Sequence, residues 1–336
     1  MLIKKPHTNE VLRVTFTITL CMLAGKLLDL NSAVYLALYP TILMTKGKDY
    51  SWQGIFKIFF PTFIAASCAL LVCQVFHEHP FVVWTISLIF IDQMRCRADN
   101  PIKLGGMIMP TFNWILIVVF SQLDSFDMPM RVREILISML ITAVIAKIMV
   151  MLFPINKSRK APVFKPQAVT YQHRVVTTGL IGSGLAFLMI ADLISATFCM
   201  VPVIAAATQF SRDKFKDVVD LRFLTQIGGC ALAAIFTLLM AGHQETIIFY
   251  GFGLGCLVFV LAKWMATSQG PSRDIHADAL LATMLPIQLY MGNTSFGLEN
   301  TYLRAWELTV TLSILFALHQ LTRSRDYYDK KNHRCT

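Results

Sequence analysis

Apolar residues fall in long runs along this chain, separated by short polar stretches. The runs cover residues 12–30, 32–45, 54–76, 80–94, 104–121 and 131–153, then 174–192, 194–208, 221–241, 246–266, 278–292 and 304–321. Most approach the length of about 20 residues that a helix needs to cross the hydrocarbon of a bilayer. The runs at 32–45 and 278–292 are short, and short segments tilt little, are buried within a bundle or are broken. The pattern predicts an all-α polytopic membrane protein of about twelve transmembrane helices.

Composition sharpens this. Apolar residues make up 55% of the 336 positions and charged residues 15%, against about 25% charged in a soluble domain. Twelve spans use roughly 240 residues, which excludes a sizeable soluble domain. The chain has no GxxxxGK[ST] loop to cradle phosphates, which excludes an ATPase on it.

Thirty Lys and Arg against twenty Asp and Glu give a net charge of +10. In a soluble protein this would suggest nucleic acid. Here the basic residues sit between apolar runs instead. With the N-terminus inside, the inner segments hold Lys4, Lys5 and Arg13, then Lys46 and Lys48, then Arg95, Arg97 and Lys103. The central stretch adds Lys157, Arg159, Lys160 and Lys165, and Arg212, Lys214, Lys216, Arg273 and the basic tail follow. Only Arg131, Arg133 and Arg304 reach the outer ends, while Lys26 and Lys147 sit within spans. This is the positive-inside pattern; it predicts cytoplasmic termini, a lipid bilayer as partner and no nucleic acid. The eight cysteines lie mostly within apolar runs without a C-x-x-C and read as packing residues. No small-residue cleavage site follows the first run, so it reads as a span rather than a removed signal.

The two halves resemble each other. RVTFTITLCMLAGKLLDLNSAVYLALYP from Arg13 matches RVVTTGLIGSGLAFLMIADLISATFCMVP from Arg174. Asp29 pairs with Asp192, Ser32-Ala33 with Ser195-Ala196, and Pro40 with Pro202. FPTFIAASCAL at 60–70 pairs with FLTQIGGCAL at 223–232, Pro110 with Pro286, and Arg131-x-x-Glu134 with Arg304-x-x-Glu307. An even number of spans per half starts both halves inside, so the repeats are expected to be parallel about an axis along the membrane normal. The domain reading is a first six-helix repeat at 1–155, a cytoplasmic linker at 156–170, a second repeat at 171–322 and a basic cytoplasmic tail at 323–336.

Charges inside spans are costly and need a reason. Lys26 and Asp29 share a helix face by their i, i+3 spacing, and Asp192 occupies the matching place in the second half. Either aspartate is a candidate proton carrier or an outer-end residue touching water. Arg131 with Glu134, and Arg304 with Glu307, repeat that spacing at the start of spans six and twelve. They are ion pairs anchoring helix ends, or arginine forks for a carboxylate substrate with the glutamates coupling release to protonation. Pro40 and Pro202 are predicted to interrupt spans two and eight, and matched broken segments point to a transport site. Tyr39, Asn113 and Gln288 lie close by as polar partners. His77 and His79 are two apart and share no helix face, so no metal, cofactor or catalytic group is assigned.

With its two six-span halves, each opening on a basic residue and running from Ser32-Ala33 to Pro40 or from Ser195-Ala196 to Pro202, the chain resembles the fusaric acid resistance and aromatic acid exporter superfamily. It looks like a short form, because the linker has no room for that superfamily's large cytoplasmic domains. The resemblance implies a bacterial inner-membrane exporter of aromatic carboxylic acids or related toxic compounds, paired with a periplasmic adaptor of the membrane-fusion type. The expected function is proton-driven export of small organic anions by a non-enzyme. The alternatives are a passive anion channel and a membrane assembly component without transport of its own.

Overall fold

A computed structural model describes residues 8–30, 32–47, 49–122, 127–155, 166–191, 195–243, 246–290 and 298–332, without the side chains of 212, 271 and 322–332. Every regular element among them is helical. The helices are α1 (Thr8–Leu27), α2 (Tyr35–Lys46), α3 (Trp52–Val75), α4 (Pro80–Arg97), α5 (Pro101–Phe120) and α6 (Met128–Leu152). Then come α7 (Tyr171–Ala191), a 3-10 turn at Ser195–Cys199, α8 (Met200–Ala207), α9 (Arg212–Leu239), α10 (Ile247–Thr267), α11 (Pro271–Tyr290) and α12 (Leu298–Asn332).

Helix starts follow local chemistry. Ser51, Asn100, Asp127 and Ser211 each accept a backbone N–H three residues on, satisfying a donor that the first turn leaves open. Pro80 and Pro101 open α4 and α5, where a missing N–H is harmless. Asp29 closes α1 in the left-handed region, at φ 46°. In the connection from α2 to α3, Asp49 accepts the Ser51 backbone N–H at 2.9 Å and its hydroxyl at 3.0 Å, which holds the carboxyl below its usual range.

Among the described residues, six helices are long and apolar enough to cross a membrane: α3, α5, α6, α7, α9 and α10. By helix length and composition the chain is a multi-pass membrane protein. The run at 32–45 predicts a span, but α2 has 12 residues, about 18 Å of helix. The run at 194–208 yields a 3-10 turn and the eight residues of α8, again short of a hydrocarbon core of about 30 Å. Pro40 lies inside α2. Pro202 does not interrupt a helix; it is the third residue of α8, within the first turn, where proline removes no bond.

The helix contacts come in matched pairs. α1 packs on α10 as α7 packs on α4, α2 on α11 as α8 on α5, and α3 on α5 as α9 on α11. Arg13 near the start of α1 donates to the Phe153 carbonyl beyond α6 at 3.1 Å, which defines a near end of the bundle. α1 and α10 run antiparallel, with Leu23 against Gly251 and Thr19 against Gly255. α7 and α4 do the same: Arg174 pairs with Asp92, and the Trp84 indole donates to the Gly182 carbonyl at 3.0 Å. Thr177 of α7 donates to the Ala207 carbonyl ending α8 at 2.8 Å. Glu10 of α1 pairs with Arg273 at the start of α11, and Arg222 of α9, the helix that follows α8, pairs with Asp278 on that same stretch of α11, so α1 and α7 begin at the same end and run the same way.

The middle of the bundle is α2, α5, α8 and α11. Residues 35–41, 110–120, 200–207 and 280–287 are buried without interruption. Segments apolar on all sides are the ones a membrane protein places innermost. α3, α6, α7 and α10 turn Phe56, Leu140, Ile190 and Phe252 outward instead, as helices facing lipid do.

Candidate functional site

Two arginine clusters occupy the far end of the central seam. Arg131, in the first turn of α6, lies 3.9 Å from the Phe120 ring centroid. Arg131 and Glu134 both lie within electrostatic reach of the Tyr35 hydroxyl at the start of α2. Glu134 is buried. Arg304, near the start of α12, is buried and lies 5.2 Å from the Phe198 ring centroid. Tyr290 and Cys230 contact its guanidinium, and Glu307 lies within reach of Tyr290 and Cys199. Nε and Nη1 of Arg304 are buried with no hydrogen-bond partner. Arg95 leaves Nε and Nη2 open in the same way, so what sets Arg304 apart is its place beside Phe198, Tyr290 and Glu307.

Aromatic and amide groups fill the space between the clusters. Tyr35 stacks on Tyr39 at 5.5 Å, and the Tyr39 hydroxyl donates to Asn113 Oδ1 at 3.2 Å. Asn113 in turn donates to the Met109 carbonyl at 3.0 Å. Phe112, its neighbour on α5, meets Phe198 at 5.6 Å, and so reaches the ring over which Arg304 sits. Gln288 packs on Gly25 beside Leu36: a Cβ on Gly25 would meet its Nε2 at 2.9 Å. Gln288 Oε1 is buried without a hydrogen-bond partner. The seam thus brings together arginine donors, planar rings and amides.

The structure therefore gathers Arg131, Glu134, Tyr39 and Asn113 along one stretch, and Arg304 and Glu307 along the other, with Gln288 on α11 between α1 and α2. Asp29 is exposed at the end of α1, and the Lys26 ammonium lies 4.8 Å from the Tyr250 ring centroid. Asp192 lies outside the described residues. Pro40 is buried at the centre of α2, next to Tyr39.

Tyr35 and Phe198, the aromatic partners of the two arginines, are not among the sequence candidates. Each stands three residues after a matched serine, Ser32 or Ser195, so the internal repeat held the signal. Arg222 and Asp278 are also absent from the candidates. Both are buried: Arg222 Nη2 lies 3.5 Å from Asp278 Oδ2, and Lys46 Nζ lies 3.1 Å from Asp278 Oδ1. They are the second and the first residue of the apolar runs at 221–241 and 278–292, at margins where a charge reads as facing water. Arg95 is buried as well, donating to the Ala98 carbonyl at 3.0 Å with its guanidinium 4.7 Å from the Phe210 ring centroid.

No curated protein and no solved structure matches this chain. Residues 10–149, which run from α1 through most of α6, match the family described as Protein of unknown function (DUF2955).

Proposed function

We propose that this chain is a secondary transporter of the bacterial inner membrane that exports small organic anions such as aromatic carboxylic acids. In this reading the matched contacts and the common direction of α1 and α7 reflect two parallel six-helix repeats about an axis normal to the membrane. The near end, with Arg13, Lys46, Arg95 and Arg97, is cytoplasmic. The termini lie on that side, and α1, α4, α11 and α12 complete the crossing with the six apolar spans. The short α2 and α8 are buried half-helices whose starts meet the arginine clusters.

One observation carries the proposal: the buried Arg304 guanidinium, with Nε and Nη1 open, beside the rings of Phe198 and Tyr290. A carboxylate supplies acceptors for those two donors. Glu134 and Glu307 stand beside the arginines and compete with the substrate for them, so they couple release to protons. Asp29, exposed, is the weaker candidate. Proton-motive force drives export, and a periplasmic adaptor continues the path beyond the membrane.

The test is uptake of radiolabelled benzoate into inside-out vesicles under an imposed proton gradient. A hydrogen bond to a charged group contributes about 1.5–3 kcal/mol, so Arg304→Gln lowers apparent affinity roughly 10- to 100-fold. Arg131→Gln acts in the same direction. Wild-type uptake by the doubly substituted protein would overturn the proposal.

A further inference from the structure

We propose that Lys46, Arg222 and Asp278 form a second anion station at the cytoplasmic end of the seam, where the Asp278 carboxylate holds the place that a substrate carboxylate takes. This rests on the transport reading above. The three side chains come from α2, α9 and α11, so the station draws on both halves of the chain. Along α11, Asp278 and Tyr290 are twelve residues apart, about 18 Å of helix. One helix therefore links the station to the Arg304 cluster.

Charge is the first argument. Two cations face one carboxylate; Arg222 is the buried one, and it shares its counter-charge with the half-exposed Lys46. Geometry is the second. Arg222 Nη1 is buried and has no hydrogen-bond partner, although Nη2 faces Asp278. Access is the third. Side-chain exposure falls from 46% at Lys46 to 10% at Asp278 and 7% at Arg222, a descent from the surface into the seam.

The fourth argument is asymmetry. In the first half, Phe59 and Ile102 occupy the places matching Arg222 and Asp278, and in the second half Thr208 occupies the place matching Lys46. α3 and α5 pack together there with apolar residues at those two places. Packing of the corresponding helices does not need the triad, so its chemistry has another use. An arriving carboxylate displaces Asp278 from Arg222 and Lys46, and on its departure toward Arg304 the aspartate returns.

Benzoate binding to the purified full-length protein in detergent, measured by calorimetry, tests this. Asp278→Asn removes the competing charge and keeps the side-chain shape, so benzoate binds about tenfold tighter; Arg222→Gln weakens binding by about the same factor and abolishes the gain in the double variant. Unchanged or weaker binding by folded Asp278→Asn overturns the proposal. If that variant does not fold, the half-exposed Lys46→Gln decides: several-fold weaker binding supports the station, and unchanged binding overturns it. Loss of binding in Arg304→Gln, with Asp278→Asn unaltered, removes the station and leaves the transport reading standing. Failure of the wild-type protein to bind or transport any aromatic carboxylate removes both.

Discussion

A Gly229→Ala substitution sets a methyl carbon 2.5 Å from the Ala282 Cβ, 2.8 Å from its carbonyl carbon and 3.0 Å from the Thr283 nitrogen. Carbon atoms in good contact stand about 3.5–4.0 Å apart. α11 must therefore retreat from α9 by about 1 Å, and two of the three obstructing atoms are backbone that no rotamer change moves aside. Overpacking of this kind costs about 1–3 kcal/mol, and rigid neighbours put this case in the upper part of that range. The adjacent Gly228 is exposed, and a methyl group added there would have no neighbour within 4 Å. Alanine there replaces the most flexible residue within a helix and gains about 0.5–1 kcal/mol. Neighbouring positions thus move stability in opposite directions, with a gap of roughly 2.5–4 kcal/mol. Unfolding in mild detergent, followed by circular dichroism, reads the difference. If the two variants match within about 0.5 kcal/mol, the close approach of α9 and α11 is wrong.

Two further predictions probe packing and orientation. Glu10 and Arg273 pair across the α1–α11 boundary; reversing either charge alone costs about 1–3 kcal/mol, and the Glu10→Arg, Arg273→Glu exchange recovers much of it, whereas additive losses argue against that docking. Cys96 is exposed near the end of α4 proposed to be cytoplasmic, so a variant keeping it as its sole cysteine reacts with a membrane-impermeant maleimide in inside-out vesicles; labelling confined to right-side-out vesicles inverts the proposed topology.

Much of the helical plan was legible because lipid demands unbroken apolar runs, and each run contains or overlaps a helix. The ends were less legible. α9 begins at Arg212, well before the apolar run at 221, because RDKFKDVVDLR is helical while too polar for a hydropathy pattern to recognise. α12 likewise continues to Asn332, past the run ending at 321 and into the stretch read as a tail. Hydropathy reports what faces hydrocarbon, and helices extend past it into water and headgroups. The half-length of α2 and α8 was hidden for the converse reason: both lie within continuous apolar sequence, and burial at the centre of a bundle asks for the same residues as a span. The Arg131–Glu134 and Arg304–Glu307 repeats were visible as spacing. Their aromatic partners Tyr35 and Phe198 lie far away in sequence and became evident only when α2 and the turn before α8 were brought against α6 and α12. Arg222 and Asp278 escaped because a charge at the edge of a run looks solvated until another helix covers it.

The exchange of neighbours, α1 lying on α10 and α7 on α4, has a consequence for biosynthesis. A ribosome releases the first six helices while the surfaces they offer to the second six are still bare. Neither portion is complete as a separate folding unit, so a gene divided at the central linker should give two polypeptides that persist in the cell only when made together.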